Sequence, residues 1–309
     1  MESENRKTSG IAFKLIPALL AVWLIAAGFF FYRINQEKNE VSSRIQVLEQ
    51  EKDEVLKAKE SMDASIAEKQ AKLEELNHLD TVLENRKQEY YSTCKKLEEQ
   101  VLHGSSEQKI AYPTFDDGPY VKTTGRYLDV LKEKDVQATF FQLGRTSEGM
   151  DELYHRVYDE GHTIANHTYS HRIKNGIYRG VDYFIADVVK NREFIQNKLG
   201  ITTNILRFPG GSNTAKRLGD GVFGELKKLG YGWIDWNIAT GDGVAMMTPD
   251  EYRDNVLNHT NNRKVLVVLM HDYSGNTLAA LPEIIDGLRS QGYTLLPLFY
   301  ESEMVNKPE

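Results

Sequence analysis

The stretch TFDDGP, Thr114 to Pro119, decides how this chain is read. Side chains alternate across an extended strand, so the neighbouring acids Asp116 and Asp117 would point to opposite faces if the strand ran on. Gly118 and Pro119 stand directly behind them. A turn made there ends the strand and leaves both carboxylates at its tip, facing one cavity with separate jobs.

Working outward, short apolar runs alternate with amphipathic stretches once Gly104-Ser105-Ser106 is passed. Strands are expected over Ile110–Phe115, Ala138–Leu143, Thr163–His167, Ile205–Phe208, Trp233–Ile238, Val265–Met270 and Thr294–Phe299. Helices are expected near 123–134, 150–160, 181–199, 214–229, 249–261 and 278–290. Strict alternation of this kind predicts a parallel sheet with helices outside it. Over roughly 205 residues, seven strands suit an α/β fold of deformed (β/α) barrel type, whose working residues sit at strand C-terminal ends. The polar oddities fall there: Asp116-Asp117, then His167 and His171, then Arg207 with Gly210-Gly211, then Asp235-Trp236, then His271-Asp272.

In NHTYSH, Asn166 to His171, the two histidines are four apart, and on a helical turn that spacing puts both imidazoles on one side. Alone, such a pair is more often two ordinary polar residues. With a carboxylate from TFDDGP it becomes a two-histidine, one-aspartate set that leaves positions open for water and substrate, as a hydrolytic metal requires.

TFDDGP, HTYSH, RFPGG, the IDWN segment and VLMHD occur in that order from about residue 105 to the end. This ordered set resembles the NodB-homology polysaccharide deacetylases, carbohydrate esterase family four, whose fold is a distorted (β/α) barrel. The resemblance implies that Asp117, His167 and His171 hold a divalent metal, commonly zinc, with cobalt or another divalent ion as alternatives. Asp116 is then the general base acting on the water held there, and Arg207 its orienting partner. His271 matches the general acid that protonates the departing sugar amine. Asp235 resembles the carboxylate that orients this histidine, and Leu269 the wall behind the acetyl methyl. Gly210 stands where many members carry an aromatic, and its N–H is the candidate oxyanion donor. Trp236 is read equally as a sugar-stacking face or as core. His155, His162, His259 and Trp233 are read as structural, with His162 buttressing the third strand, and Asp272 as a supporting residue behind the site. Pro113 removes a backbone donor from the first strand and has no assigned role.

The region before this domain has a different character. Residues 1–14 are read as a cytoplasmic tail carrying Arg6, Lys7 and Lys14. Leu15 to Tyr32 is an 18-residue run without charge, the lower limit for a transmembrane anchor. A cleaved signal peptide is the rival, since Ala26-Ala27-Gly28 offers small residues, but Phe29 to Phe31 continue the apolar run. Residues 33–103 lack Gly up to His103 and lack Pro, and 28 of the 70 residues from Arg33 to Leu102 are charged, which reads as a long exposed helix. A seven-residue rhythm through Val41, Leu48, Val55, Met62, Leu76, Leu83, Tyr90 and Leu97 marks a coiled-coil stalk that could join two copies. Lys52, Lys59, Lys69, Asp80 and Lys87 interrupt its seam, and Cys94, the only cysteine, falls on it as a candidate cross-strand disulfide or a small buried hydrophobe.

A net charge of -7 excludes a nucleic-acid partner of the usual basic-faced kind. The expectation is a single-pass membrane protein, N-terminus inside, whose 105–309 domain deacetylates an extracellular amino-sugar polymer, peptidoglycan N-acetylglucosamine first. Chitin-like oligomers, poly-N-acetylglucosamine and O-acetyl xylan are the alternatives within that chemistry. An inactive sugar-binding barrel on an interaction stalk is the alternative outside it.

Overall fold

A computed structural model describes residues 8–306. Residues 1–7 of the expected tail lie outside the described residues, and Thr8 to Lys14 begin a helix. The chain divides into two compact units, Met1–Leu83 and Glu84–Glu309.

The first unit is helical: α1 is a continuous α-helix from Thr8 to Leu102, with no Gly or Pro after Gly28 to interrupt it. It contains an apolar window long enough to cross a bilayer, none of it buried. Val41, Leu48, Val55, Met62, Leu76 and Leu83 are all exposed, so within this unit the seven-residue stripe lies open.

The second unit is an α/β domain that begins earlier than the expected boundary at residue 105. In chain order its elements are the end of α1, β1 (Lys109–Asp116), α2 (Thr124–Glu133), β2 (Thr139–Gln142), α3 (Met150–Asp159), β3 (Thr163–Asn166), α4 (Val181–Leu199) and β4 (Ile205–Leu206). There follow α5 (Ser212–Ala215), α6 (Gly221–Lys228), β5 (Gly232–Trp233), β6 (Ile238–Ala239), α7 (Pro249–Leu257), β7 (Val265–His271), α8 (Gly275–Ser290) and β8 (Tyr293–Leu295). The expected helix over 214–229 is broken by a 3-10 turn and by Gly219, whose φ of 72° is left-handed.

All named strand pairs are parallel, in the order β5-β4-β3-β2-β1-β7-β6, with β8 added to β1. The expected barrel is corrected here to a curled half-barrel, because β5 and β6 do not pair with each other. The expected strand Trp233–Ile238 is two short pieces. Ile234 N–H donates to Leu206 O beside β4, whereas Asn237 N–H donates to Val267 O of β7. The segment thus crosses the seam from one edge to the other and cannot pair along its length with either.

Strand alternation sorts the core into two layers. Ala111, Phe115, Phe140, Ile164, Val268 and Met270 face the outer helices, where Tyr127, Leu128, Leu281 and Ile285 cover them. Ile110, Tyr112, Phe141, Ala165, Ile205 and Val267 face inward and pack with Cys94 and Val101 of α1 and with Leu296, Leu298 and Phe299. Cys94 is only 2% exposed, which removes the cross-strand disulfide in this fold: its thiol belongs to the domain core.

Glu98, also buried, fixes this inner layer. Its carboxyl oxygens accept from Tyr112 Oη, Ser302 Oγ and the backbone N–H of Glu303, so α1, the central strand and the C-terminal segment meet on one side chain.

Pro113 also finds its reason in the pairing. Ile110 N–H turns toward β7, donating to Lys264 O, so by alternation the Pro113 nitrogen faces the other side of β1. On that side β8 pairs only to Ala111 and β2 begins at Thr114. The missing donor falls in the gap between two neighbours.

Replacing Glu98 by Ala strands two buried hydroxyls and a backbone donor, and should lower the unfolding free energy of this unit by about 3 kcal/mol. Urea unfolding followed by tryptophan fluorescence checks this, and Glu98→Gln should lose less because it keeps one acceptor. A second expectation concerns pH. His162 accepts at Nδ1 from Ala138 N–H at 3.1 Å, and burial pushes its pKa down to about 4, helped by Arg156. The unfolded chain therefore binds this proton at higher pH than the fold does, so the stability it contributes is complete above about 6.5 and is lost as pH falls toward about 4. The full span corresponds to roughly 3 kcal/mol, and His162→Gln should flatten the stability profile across this window.

Candidate active site

The C-terminal strand ends gather the expected residues at one end of the half-barrel. Asp116 stands in register with Phe141 of β2 and His271 of β7, and Asn166 of β3 with Leu206 of β4. Asp117 follows with φ at 75°, a left-handed conformation that costs a non-glycine residue about 1 kcal/mol. That turn resolves the paired acids: His167 Nε2 lies 3.7 Å from Asp116 Oδ2 and 3.6 Å from Asp117 Oδ1, so both carboxylates reach one place.

HTYSH is not a helical turn, as its spacing suggested. It is a loop in which Thr168 and His171 have φ of 67° and 55°, and Thr168 Oγ1 accepts from His171 N–H. The imidazoles still converge, with ring centroids 4.9 Å apart and His171 Nε2 3.3 Å from Asp117 Oδ1.

One ligand atom from each of Asp117, His167 and His171 lies within 4.8 Å of the others. Asp117 Oδ1 is buried without a hydrogen-bond partner, which a cation would supply. His167 Nδ1 is 2.8 Å from Arg207 O, so Nδ1 carries the hydrogen and Nε2 presents its lone pair. Burial lowers the His167 pKa to about 3 against the pull of Asp117, which keeps the ring neutral as a ligand must be. The donor set fits a divalent cation with coordination positions left over.

Asp116 is 3% exposed. Its Oδ1 accepts from Arg207 Nη1 at 2.9 Å, while Oδ2 is the oxygen nearer the ligand cluster. Burial pushes its carboxyl above the ordinary range, and Arg207 and His271 pull against that. Arg207 is itself fully buried, held also by Thr114 Oγ1 at 2.7 Å and Ile234 O at 3.1 Å.

The partner of His271 is corrected. Asp235 does not reach it: its carboxylate accepts from Ser212 N–H at 2.9 Å and Ser212 Oγ at 2.5 Å, fixing the loop after RFPGG. Asp242 does, accepting from His271 N–H at 2.9 Å and standing 2.7 Å from Nδ1, and Thr277 Oγ1 holds it at 2.7 Å. His271 Nε2 is thereby left 3.9 Å from Asp117 Oδ2. Burial would lower the His271 pKa, but Asp242, with Asp116 and Asp117, outweighs it and the net shift is upward. Asp242 lies after β6, in Thr240-Gly241-Asp242, outside the IDWN segment from which the sequence takes its carboxylate.

Leu269 is buried in β7 on the same face as His271, two residues on. Trp236 lies beside the site, its ring 5.9 Å from the Arg207 guanidinium, and also packs on the inner core layer. Gly210 has φ of 75°, a left-handed conformation that glycine adopts freely, and Thr214 Oγ1 fixes it by donating to its carbonyl at 2.7 Å. Asp272 is buried and accepts from Thr124 Oγ1.

The polysaccharide deacetylase family model matches residues 103–232. A peptidoglycan-N-acetylglucosamine deacetylase of Bacillus cereus is 32% identical over 192 residues, covering 60% of this chain and 68% of the relative. The peptidoglycan-N-acetylmuramic acid deacetylase PdaA of Bacillus subtilis is 30% identical, covering 65% of this chain and 75% of its own. The solved catalytic domain of a peptidoglycan N-acetylglucosamine deacetylase from Eubacterium rectale superposes with a TM-score of 0.59 at 32% identity, covering 65% of this chain and 93% of that one.

This chain belongs to the polysaccharide deacetylase family, the family-four carbohydrate esterases. Its α/β unit is the deacetylase catalytic domain, a hydrolase acting on acetylated polysaccharide.

Asp242→Asn should move the titration of His271, followed by its imidazole proton resonances, to lower pH, because the largest group raising it is neutralised. Asp235→Asn should leave that titration where it is; equal shifts in both variants would contradict the corrected pairing.

Proposed function

We propose that the chain is a divalent-metal-dependent N-deacetylase that removes acetyl groups from the N-acetylglucosamine of peptidoglycan outside the cell. The observation that carries this reading is the placement of a buried acid, Asp116, and a carboxylate-held imidazole, His271, both within 4 Å of the Asp117, His167 and His171 cluster: Asp116 Oδ2 is 3.7 Å from His167 Nε2 and His271 Nε2 is 3.9 Å from Asp117 Oδ2.

Amide hydrolysis needs an activated water, a stabilised oxyanion and a proton for a poor amine leaving group. A divalent ion held by Asp117, His167 and His171, zinc in this reading, supplies Lewis acidity and lowers the pKa of water from about 15.7 toward 7. Asp116 takes the proton of the attacking water at Oδ2, since Oδ1 is tied to Arg207. Burial gives this carboxyl more proton affinity than a solvated one, as a base at neutral pH requires. His271, oriented by Asp242 at Nδ1, delivers a proton from Nε2 to the sugar nitrogen as the C–N bond breaks. Gly210 N–H, which has no acceptor among the described residues, serves the oxyanion, and Leu269 backs the acetyl methyl.

The names of the relatives support peptidoglycan as the polymer. The exposed apolar window of α1 supports a membrane anchor, and the exposed seven-residue stripe up to Leu83 supports a stalk that pairs two copies.

The full chain in detergent should release acetate from isolated peptidoglycan, lose that activity to a chelator and regain it with zinc or cobalt. Chelator-insensitive release would sink the metal dependence. Asp116→Asn should cut turnover by about 100-fold or more while metal stays bound, and Asp117→Asn should weaken metal retention.

A further inference from the structure

The turn that presents Asp117 is held from one side by a residue that no motif contains. Arg145 follows the end of β2. Its Nε donates to the Asp117 carbonyl at 3.1 Å and its Nη2 to Tyr120 Oη at 2.7 Å, with the guanidinium carbon 4.3 Å from the centre of the Tyr120 ring. One rigid fork therefore spans residues 117 to 120, gripping both ends of the turn.

Arg145 is itself well anchored. Its N–H donates to Tyr154 Oη at 3.0 Å, and Tyr154, fully buried, donates in turn to Leu143 O. The rest of the turn is pinned through its backbone. Asp117 N–H reaches Phe141 O at 3.2 Å, Leu143 N–H reaches Gly118 O at 3.0 Å, and Tyr120 N–H reaches Thr124 Oγ1 at 2.7 Å. None of those bonds touches the carbonyl of Asp117. Among the described residues Arg145 supplies the hydrogen bond to that carbonyl, at a residue whose φ of 75° is unfavourable for a side chain with a Cβ.

We infer that Arg145 is a positioning residue for the metal ligand Asp117: by clamping its carbonyl and the Tyr120 hydroxyl together, it holds the left-handed turn that aims the carboxylate at His167 and His171. The inference rests on the metal-dependent reading above. The guanidinium bonds to the Asp117 carbonyl and to Tyr120, not to the Asp117 carboxylate or to the imidazoles. Its effect is on how much of the ligand geometry is ready before the cation arrives, and such supporting contacts change metal affinity by about 10- to 100-fold. The family motifs carry the ligands; this contact comes from a residue specific to the loop GRTSEG that follows β2.

The probe is Co2+ added to the metal-free full chain in detergent, read by its visible absorption, with affinity taken from chelator competition. Arg145→Met keeps the stem and removes the fork, and should raise the Co2+ dissociation constant about 10- to 100-fold. Arg145→Lys, which can reach the carbonyl with one donor, should recover part of it. The thermal midpoint of the metal-free protein should stay near that of the unaltered chain in both. Affinity within twofold in Arg145→Met overturns the inference. If that variant does not fold, Tyr120→Phe removes only the Nη2 acceptor and should give a smaller rise in the same direction, and no rise there overturns it equally. Absence of a cobalt spectrum in the unaltered chain would instead overturn the metal reading itself, which separates the two failures.

Discussion

The buried pair of Arg207 and Asp116 is the constraint on which the rest of the site depends. Arg207 begins where β4 ends, yet its guanidinium crosses to β1, where it meets Asp116 at 2.9 Å and Thr114 at 2.7 Å. Its carbonyl meanwhile fixes the ring of His167, and its Nε takes the carbonyl of Ile234 where the chain spans the seam. One residue therefore sets the Asp116 carboxylate, the tautomer of His167 and the course of the segment that joins the two sheet edges. Two buried charges are expensive to remove from water and hold only while both are present, so a change at either is felt at every one of these contacts.

The half-barrel supplies the frame in which that pair works. Parallel strands of matched register bring Asp116, Phe141, Asn166 and His271 to one end, and alternation decides which of each strand's residues face the cavity. The inner layer at the other end is not filled by the domain's strands alone. Cys94, Leu97, Glu98 and Val101 of α1 complete it, so the helix that precedes the family's region is part of the folded unit and not only a tether to it.

Much of the domain was legible because its signals are local. The apolar runs at Ile110, Ala138, Thr163, Ile205 and Val265 each hold one strand, only Trp233–Ile238 of the runs up to Val265 being split in two, and the acid, histidine and arginine clusters fell near strand ends as alternation of β and α requires. What was not legible came from contacts between distant segments. Asp235 sits at the expected place after a strand, but the chain bends there, and its carboxylate turns to Ser212 while Asp242, seven residues on, reaches His271. HTYSH converges through left-handed residues in a loop and not through helical spacing.

The sequence by itself determined the class of chemistry, since five motifs in order along the chain, holding two imidazoles, a pair of adjacent acids and a separate histidine, carry the resemblance to the deacetylase family. Those are properties of side chains, and they survive any uncertainty about where the strands begin. Only the tertiary structure decided which carboxylate serves His271, how Asp117 is turned toward its partners, why Pro113 is tolerated and where Cys94 is buried. Each depends on a hydrogen bond or packing contact between residues far apart in the chain, and no periodicity along the sequence records those.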